Sequence, residues 1–160
     1  MTRIVVVGDS RIGKNEFMHL ATTGQVPLNI YASRTCENFT LVGTGGSRAD
    51  FVVVPGRAGD ELLAEACDGA DGIMVIYKGT VNNAKRWLMR CTRGSSVSVP
   101  VMLCYHNSAL PPDRRVPEML HQWPTAEHAC TSTLYTIGLQ DCANRIVRRA
   151  RANPGSPLGR

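Results

Sequence analysis

No apolar run in the 160 residues approaches the ~18 that a membrane-spanning helix needs. The opening stretch, Met1-Thr2-Arg3-Ile4-Val5-Val6-Val7-Gly8, is too short for a signal peptide, and Gly8-Asp9-Ser10 continues it as a turn. No two of the six cysteines (Cys36, Cys67, Cys91, Cys104, Cys130 and Cys142) form a C-x-x-C pair, and their gaps are irregular. The four histidines, His19, His106, His121 and His128, share no metal-ligand spacing with them. A zinc site or a disulfide framework is therefore not expected; reduced thiols in a cytoplasmic protein are. Internal repeats are absent, as is any interior linker long enough to divide the chain, so residues 1–152 read as one domain. No C-a-a-X box closes the sequence, and no membrane anchor is expected.

Positive charge is present but unevenly placed. Of the net +5, the stretch 140–160 holds +4, with Arg145, Arg148, Arg149, Arg151 and Arg160 set against Asp141. The body is nearly neutral, which argues against a general nucleic-acid binder. The arginines of 145–149 suit a helix end, where cations complement the dipole, and 153–160 is a basic Pro/Gly tail.

Hydrophobic patterning alternates strand and helix. Thr2–Val7, Asn38–Val42, Asp50–Val54, Gly72–Lys78 and Val99–Tyr105 read as strands, and Cys130-Thr131 ends a last one. Lys14–Thr23, Glu61–Asp68, Asn82–Thr92, Pro117–Gln122 and Leu139–Ala152 read as helices. The glycine-rich turn Gly43-Thr44-Gly45-Gly46-Ser47 joins the second and third strands as a hairpin. Buried strands interleaved with helices predict an α/β fold: a three-layer sandwich with a mainly parallel six-stranded sheet, one antiparallel edge strand and helices on both faces. Ligands of such sheets bind beyond the carboxyl ends of the strands.

The most informative segment is Gly8-Asp9-Ser10-Arg11-Ile12-Gly13-Lys14-Asn15. It reads G-x-x-x-x-G-K-N, one residue from the phosphate-binding signature G-x-x-x-x-G-K-[ST]. Glycines let the backbone curl so that successive N–H groups face a phosphate. The helix that follows adds its positive end, and Lys14 supplies a point charge.

With this loop placed, the chain resembles the Ras/Rab small GTPases. Ala70-Asp71-Gly72-Ile73-Met74-Val75-Ile76-Tyr77-Lys78-Gly79-Thr80 is similar to the family's strand ending in Tyr-Asp-x-Thr. Trp87-Leu88 falls in the third helix, and Val99-Pro100-Val101-Met102-Leu103 matches the strand before the guanine motif. Cys130-Thr131-Ser132-Thr133-Leu134 stands where Glu-Thr-Ser-Ala-Lys would be. The likeness runs in order over about residues 2–152. It implies a P-loop G domain whose nucleotide contacts come from Gly8 to Asn15, Gly59, His106, Asn107, Ser132 and Thr133. It also implies GDP or GTP with Mg²⁺ as the cofactor, weakly held or absent, with Asn15 and Thr35 as the metal positions.

The departures bear on activity. Asn15 replaces the hydroxyl that ligates Mg²⁺, and its amide suits a tight octahedral shell less well. The family's Asp-Thr-Ala-Gly-Gln-Glu appears as Gly56-Arg57-Ala58-Gly59-Asp60-Glu61. Gly56 thus replaces the metal-holding carboxylate, and Asp60 stands at the water-orienting position with a charge that opposes phosphate. Arg57 is either an internal arginine finger or a solvated side chain. Asn-Lys-x-Asp falls on His106-Asn107-Ser108-Ala109, so Ala109 replaces the carboxylate that would read guanine; His106 or Tyr105 either stacks on a base or belongs to the strand end.

Losses at several sites imply a pseudo-GTPase: a protein-interaction or structural subunit of a multi-subunit assembly. The alternative is a divergent, slowly hydrolysing GTP switch. Residues 60–71 carry five acids and no base, while Lys85, Arg86, Arg90 and Arg93 carry only positive charge. These helices read as polarised docking faces or as faces that pair with each other.

Overall fold

The computed structural model describes residues 1–25, 34–43, 46–94, 98–134 and 137–152. The middle of the glycine-rich turn (44–45) and the tail 153–160 lie outside the described residues. The described residues form, in chain order, β1 (Thr2–Val7), α1 (Lys14–Thr23), β2 (Glu37–Val42), β3 (Arg48–Val53), α2 (Asp60–Cys67), β4 (Gly72–Tyr77), α3 (Val81–Thr92), β5 (Val101–His106), α4 (Val116–Gln122), β6 (Ala126–Thr131) and α5 (Leu139–Ala152). The sheet order is β2-β3-β1-β4-β5-β6. Every neighbouring pair is parallel except β2–β3, whose antiparallel register sets Phe39 opposite Phe51. The expected mainly parallel six-stranded sheet with one antiparallel edge strand is therefore present.

The alternation of side chains along β1 shows how the layers form. Val5 and Val7 face a core shared with Leu63 of α2, Trp87 and Leu88 of α3 and Met119 of α4. Ile4 and Val6 face the other core, with Phe17 and Met18 of α1 and Ile146 of α5. A strand apolar at every position is the signature of a sheet covered on both sides. Each fully buried Ile, Leu or Phe contributes about 1.5–3 kcal/mol, so these two layers carry the stability. Strand β2 alternates half-buried and exposed residues, as an edge strand does; Phe39 and Leu41 pack toward α1 and α5.

The last strand begins earlier than the sequence suggests. Ala126–Thr131 is only partly buried, so no continuous apolar run announces it, and its ladder to β5 is what makes it a strand. Four cysteines, 67, 91, 104 and 142, are buried as small core residues, while Cys130 is exposed. The α5 arginines do more than complement a helix dipole. Arg145 pairs with Glu127 at 2.8 Å, and Arg149 donates to the carbonyls of Val101 and Thr125, stitching α5 to the edge of the sheet. Because β1, β3, β4, β5 and β6 run parallel, their carboxyl ends gather the segments 8–13, 54–59, 78–80, 107–111 and 132–134 at one end of the molecule.

Candidate functional site

The β1–α1 loop is shaped by its glycines. A Cβ on Gly8 would lie 2.2 Å from the carbonyl oxygen of Ile76, so only glycine lets the chain leave β1 this close to β4. Gly13, at φ 95, caps α1 in the left-handed region, where a side chain is strained. Arg11 (φ 63) and Asn107 (φ 52) are non-glycine residues in that same region at this end of the sheet. Strained backbone of this kind persists where the surroundings over-determine it, often at functional sites.

Lys14 opens α1 and is buried. Its ammonium donates to the carbonyls of Gly8 (2.8 Å) and Asp9 (2.9 Å), which folds the side chain back over the loop. Burial lowers its pKa to about 8, and the Asp9 carboxylate works the other way. The same charge near an incoming anion is therefore partly titratable at neutral to mildly basic pH.

His106 ends β5 and is wholly buried. Its Nδ1 hydrogen-bonds Thr131 Oγ1 at 2.8 Å, and its ring meets Phe17 edge-on at 5.1 Å. Nε2 has no hydrogen-bond partner among the described residues and lies 4.0 Å from where a Cβ on Gly13 would sit. Burial, and then the Lys78 charge, push its pKa down to about 4, so the ring is neutral. Tyr105 is also buried, its hydroxyl 2.8 Å from Ser108 Oγ. Of the two readings of His106 and Tyr105, their burial agrees with side chains that belong to the end of β5.

Asn107 and Thr133 satisfy each other. Asn107 Nδ2 donates to Thr133 Oγ1, and the Thr133 N–H donates to Asn107 Oδ1, both at 2.9 Å. Ser132 bridges to Ile137 through its backbone. The structure therefore sets His106 near Gly13, and Asn107 and Thr133 join the segments that follow β5 and β6 at the same end of the sheet.

The segment after β3 carries the largest surprise. A Cβ on Gly56 would lie 2.2 Å from the backbone nitrogen of Ser10, 2.6 Å from its Oγ and 2.7 Å from the carbonyl carbon of Asp9. The turn from Pro55 to Ala58, closed by a 3.0 Å hydrogen bond, is seated directly on the loop. No carboxylate fits at position 56 without moving backbone. Asn15 Oδ1 is buried and without a partner, and Thr35 is exposed just before β2. Among the described residues no cluster of three His, Cys, Asp or Glu side chains is placed to hold a metal. The loop thus carries a buried lysine at the start of α1, and no carboxylate stands at position 56 beside it. Gly59 caps α2 at φ −71, and a Cβ there meets nothing within 4 Å. Gly59→Ala is accordingly expected to change stability by no more than about 0.5 kcal/mol in urea unfolding.

Sequence reasoning missed what holds this arrangement together. Trp87 Nε1 donates to Asp9 Oδ1 at 3.0 Å, and Arg86 pairs with the same oxygen at 3.1 Å. Arg90 lies 4.7 Å from the Trp87 ring centroid, donates to the Ala58 carbonyl at 2.9 Å and reaches Asp60 at 3.3 Å. One helix, α3, thus grips both the loop and the turn above it. Of the four cations read as a docking face, Arg86 pairs with Asp9 of the loop and Arg90 with Asp60 of α2, so one ion pair joins the α2 and α3 faces. The helical spacing of Arg86, Trp87 and Arg90 was the available signal; nothing in it named Asp9 or Ala58 as the receiving groups.

A scan of the chain against protein-family models finds no match, and a search of the curated proteins finds none either.

Proposed function

We propose that this chain is a Ras/Rab-like pseudo-GTPase that works as a protein-interaction or structural subunit of a larger assembly, with nucleotide binding limited to what its P-loop provides. One observation carries the reading: the loop keeps its two glycines and its buried lysine, while Gly56, where the family holds its metal carboxylate, is packed against Ser10. The phosphate cradle is supported by the N-terminus of α1, Lys14 and the loop N–H groups. The loss of turnover is supported by the missing metal carboxylate, by Asp60 at the water-orienting position and by Ala109 at the guanine-reading position. The alternative, an active GTP switch, draws on the retained Lys14 alone.

The decisive experiment is native purification, chromatographic identification of any bound nucleotide and a GTP turnover assay with Mg²⁺. Turnover that Lys14→Ala abolishes would overturn the pseudo-GTPase reading. Binding without base preference, and no turnover, is the expected result.

The shifted lysine makes a second expectation. With a free-state pKa of about 8, Lys14 is mostly charged at pH 7 and mostly neutral at pH 9. Pyrophosphate affinity is therefore expected to fall roughly tenfold between those pH values by titration calorimetry. Lys14→Arg, charged throughout, removes most of that fall. An identical fall in both proteins would show that the ligand's own ionisation, not the lysine, sets the pH dependence.

A further inference from the structure

We infer that two copies of this chain associate through the layer formed by α2 and α3, each copy setting its acidic α2 against the basic α3 of the other.

The two helices present opposite charge on matching spacings. On α2 the buried side is Leu63, Ala66 and Cys67. Glu61, Glu65 and Asp68 stand on the opposite side at i, i+4 and i+7, and all three are exposed. None of them forms an ion pair among the described residues. Arg3 donates to the Asp68 carbonyl and not to its carboxylate. On α3 the buried side includes Ala84, Trp87, Leu88 and Cys91. Arg86, Met89 and Arg93 stand opposite it at i, i+3 and i+7. Arg93 forms no ion pair among the described residues, and the Arg86 side chain stays 58% exposed while it pairs with Asp9. Met89 is 48% exposed between them. Arg93 caps the helix at φ 54, a left-handed position that glycine fills with less strain.

The fold brings these faces into one surface. α2 and α3 share a core on the same side of the sheet and are joined by Arg90 and Asp60. Each returns from the carboxyl end of one parallel strand to the amino end of the next, so the helices point the same way. The thiols of Cys67 and Cys91 hydrogen-bond each other, which fixes the relative height of the helices. Counted from that contact at about 1.5 Å per residue, Glu61, Glu65 and Asp68 stand level with Arg86, Met89 and Arg93 to within a single residue.

A twofold axis running along the helices, between α2 and α3, carries each helix over the other without changing its height. It sets Glu61 against Arg86, the stem of Glu65 against Met89 and Asp68 against Arg93 of the second copy, and repeats all three by symmetry. Self-complementarity of this kind is what a twofold interface requires. A twofold axis across the helices would instead oppose acid to acid and base to base. Exposed ion pairs are individually weak and screened by salt, so the association is salt-sensitive.

Sedimentation velocity of the whole chain tests this. Reversible dimers are expected at ~20 mM salt, with affinity falling roughly tenfold or more at ~500 mM. Arg93→Glu and Asp68→Arg are each expected to weaken the dimer roughly tenfold, since each sets like charges face to face at both symmetry-related contacts. An equimolar mixture of the two variants is expected to dimerise again. In the mixed pair the introduced acid of one meets the introduced base of the other, and native Asp68 meets native Arg93. Arg148→Glu, the same change of net charge at an exposed residue of α5, is expected to leave the dimer unchanged. Thermal melts establish that the variants fold; Arg93→Gly and Asp68→Ala are the substitutes should either not, each with a loss of affinity expected. A chain that stays monomeric at low salt up to ~500 μM overturns the inference and leaves the face to a partner of another kind. A dimer indifferent to salt and to both substitutions, or a mixture that stays monomeric, overturns it as well. None of these outcomes bears on the loop or on the pseudo-GTPase reading.

Discussion

Gly56→Asp, the substitution that would supply the metal carboxylate of the Ras/Rab pattern, is expected to destabilise the protein by about 3 kcal/mol and to confer no magnesium-dependent GTP turnover. For a chain of this length that cost corresponds to a fall of about 10 °C in melting temperature. The reason is contact with backbone rather than with a mobile side chain. A Cβ at 56 would stand 2.2 Å from the Ser10 nitrogen and 2.7 Å from the Asp9 carbonyl carbon. Asp9 cannot yield cheaply, because Trp87 and Arg86 both bond its carboxylate. The turn cannot yield cheaply either, because Arg90 holds Ala58. Gly59→Ala, three residues on and in open space, is the control that separates a clash at 56 from a general intolerance of side chains in this segment. If Gly56→Asp melts with the parent protein and hydrolyses GTP, the segment moves freely and the contact at 56 excludes no carboxylate.

The second large effect is acid destabilisation through His106. Its folded pKa of about 4 lies below the ordinary value of 6.5 because burial disfavours the imidazolium, with Lys78 adding to it. Between those two pH values the unfolded chain binds a proton that the folded chain refuses, so stability falls as the pH drops from 6.5 toward 4. Above 6.5 neither state takes the proton and the contribution is flat. From pH 7 to pH 5 the loss amounts to about 2 kcal/mol. His106→Asn keeps a polar group within reach of Thr131 and does not titrate. Urea unfolding at the two pH values should show a difference between the parent and His106→Asn of that order. Equal pH dependence in the two would place the acid sensitivity in the carboxylates. Binding of a phosphate near Gly13 would oppose this loss, since an anion close to Nε2 favours the protonated ring.

Local pattern made much of the fold legible. The strand Thr2–Val7, the helix Lys14–Thr23 and the closing helix Leu139–Ala152 match the structure to the residue, because a strand buried on both faces reads as an unbroken apolar run and a helix buried on one face as a period of 3.6. β6 was read only at its end, since its half-buried residues Ala126–Thr131 carry no such period. The loop Gly8–Asn15 was legible for a different reason: its spacing is chemical, and glycines and a lysine at fixed intervals have few other uses.

The sequence by itself determined that this chain alternates strand and helix, that its sheet is buried on both faces, and that a turn of the pattern G-x-x-x-x-G-K follows the first strand. Only the tertiary structure decided what that turn faces. Trp87 meets Asp9 across 78 positions, Arg90 meets Ala58 across 32, and His106 meets Thr131 across 25. Such partners are set by strand order and register, which bring distant segments together at the carboxyl ends of the sheet, and no local periodicity encodes which of them will touch. Gly56 shows the difference most clearly: in the sequence it is a departure from the Ras/Rab pattern, and in the fold it is a close contact with Asp9 and Ser10 that leaves no room for a side chain.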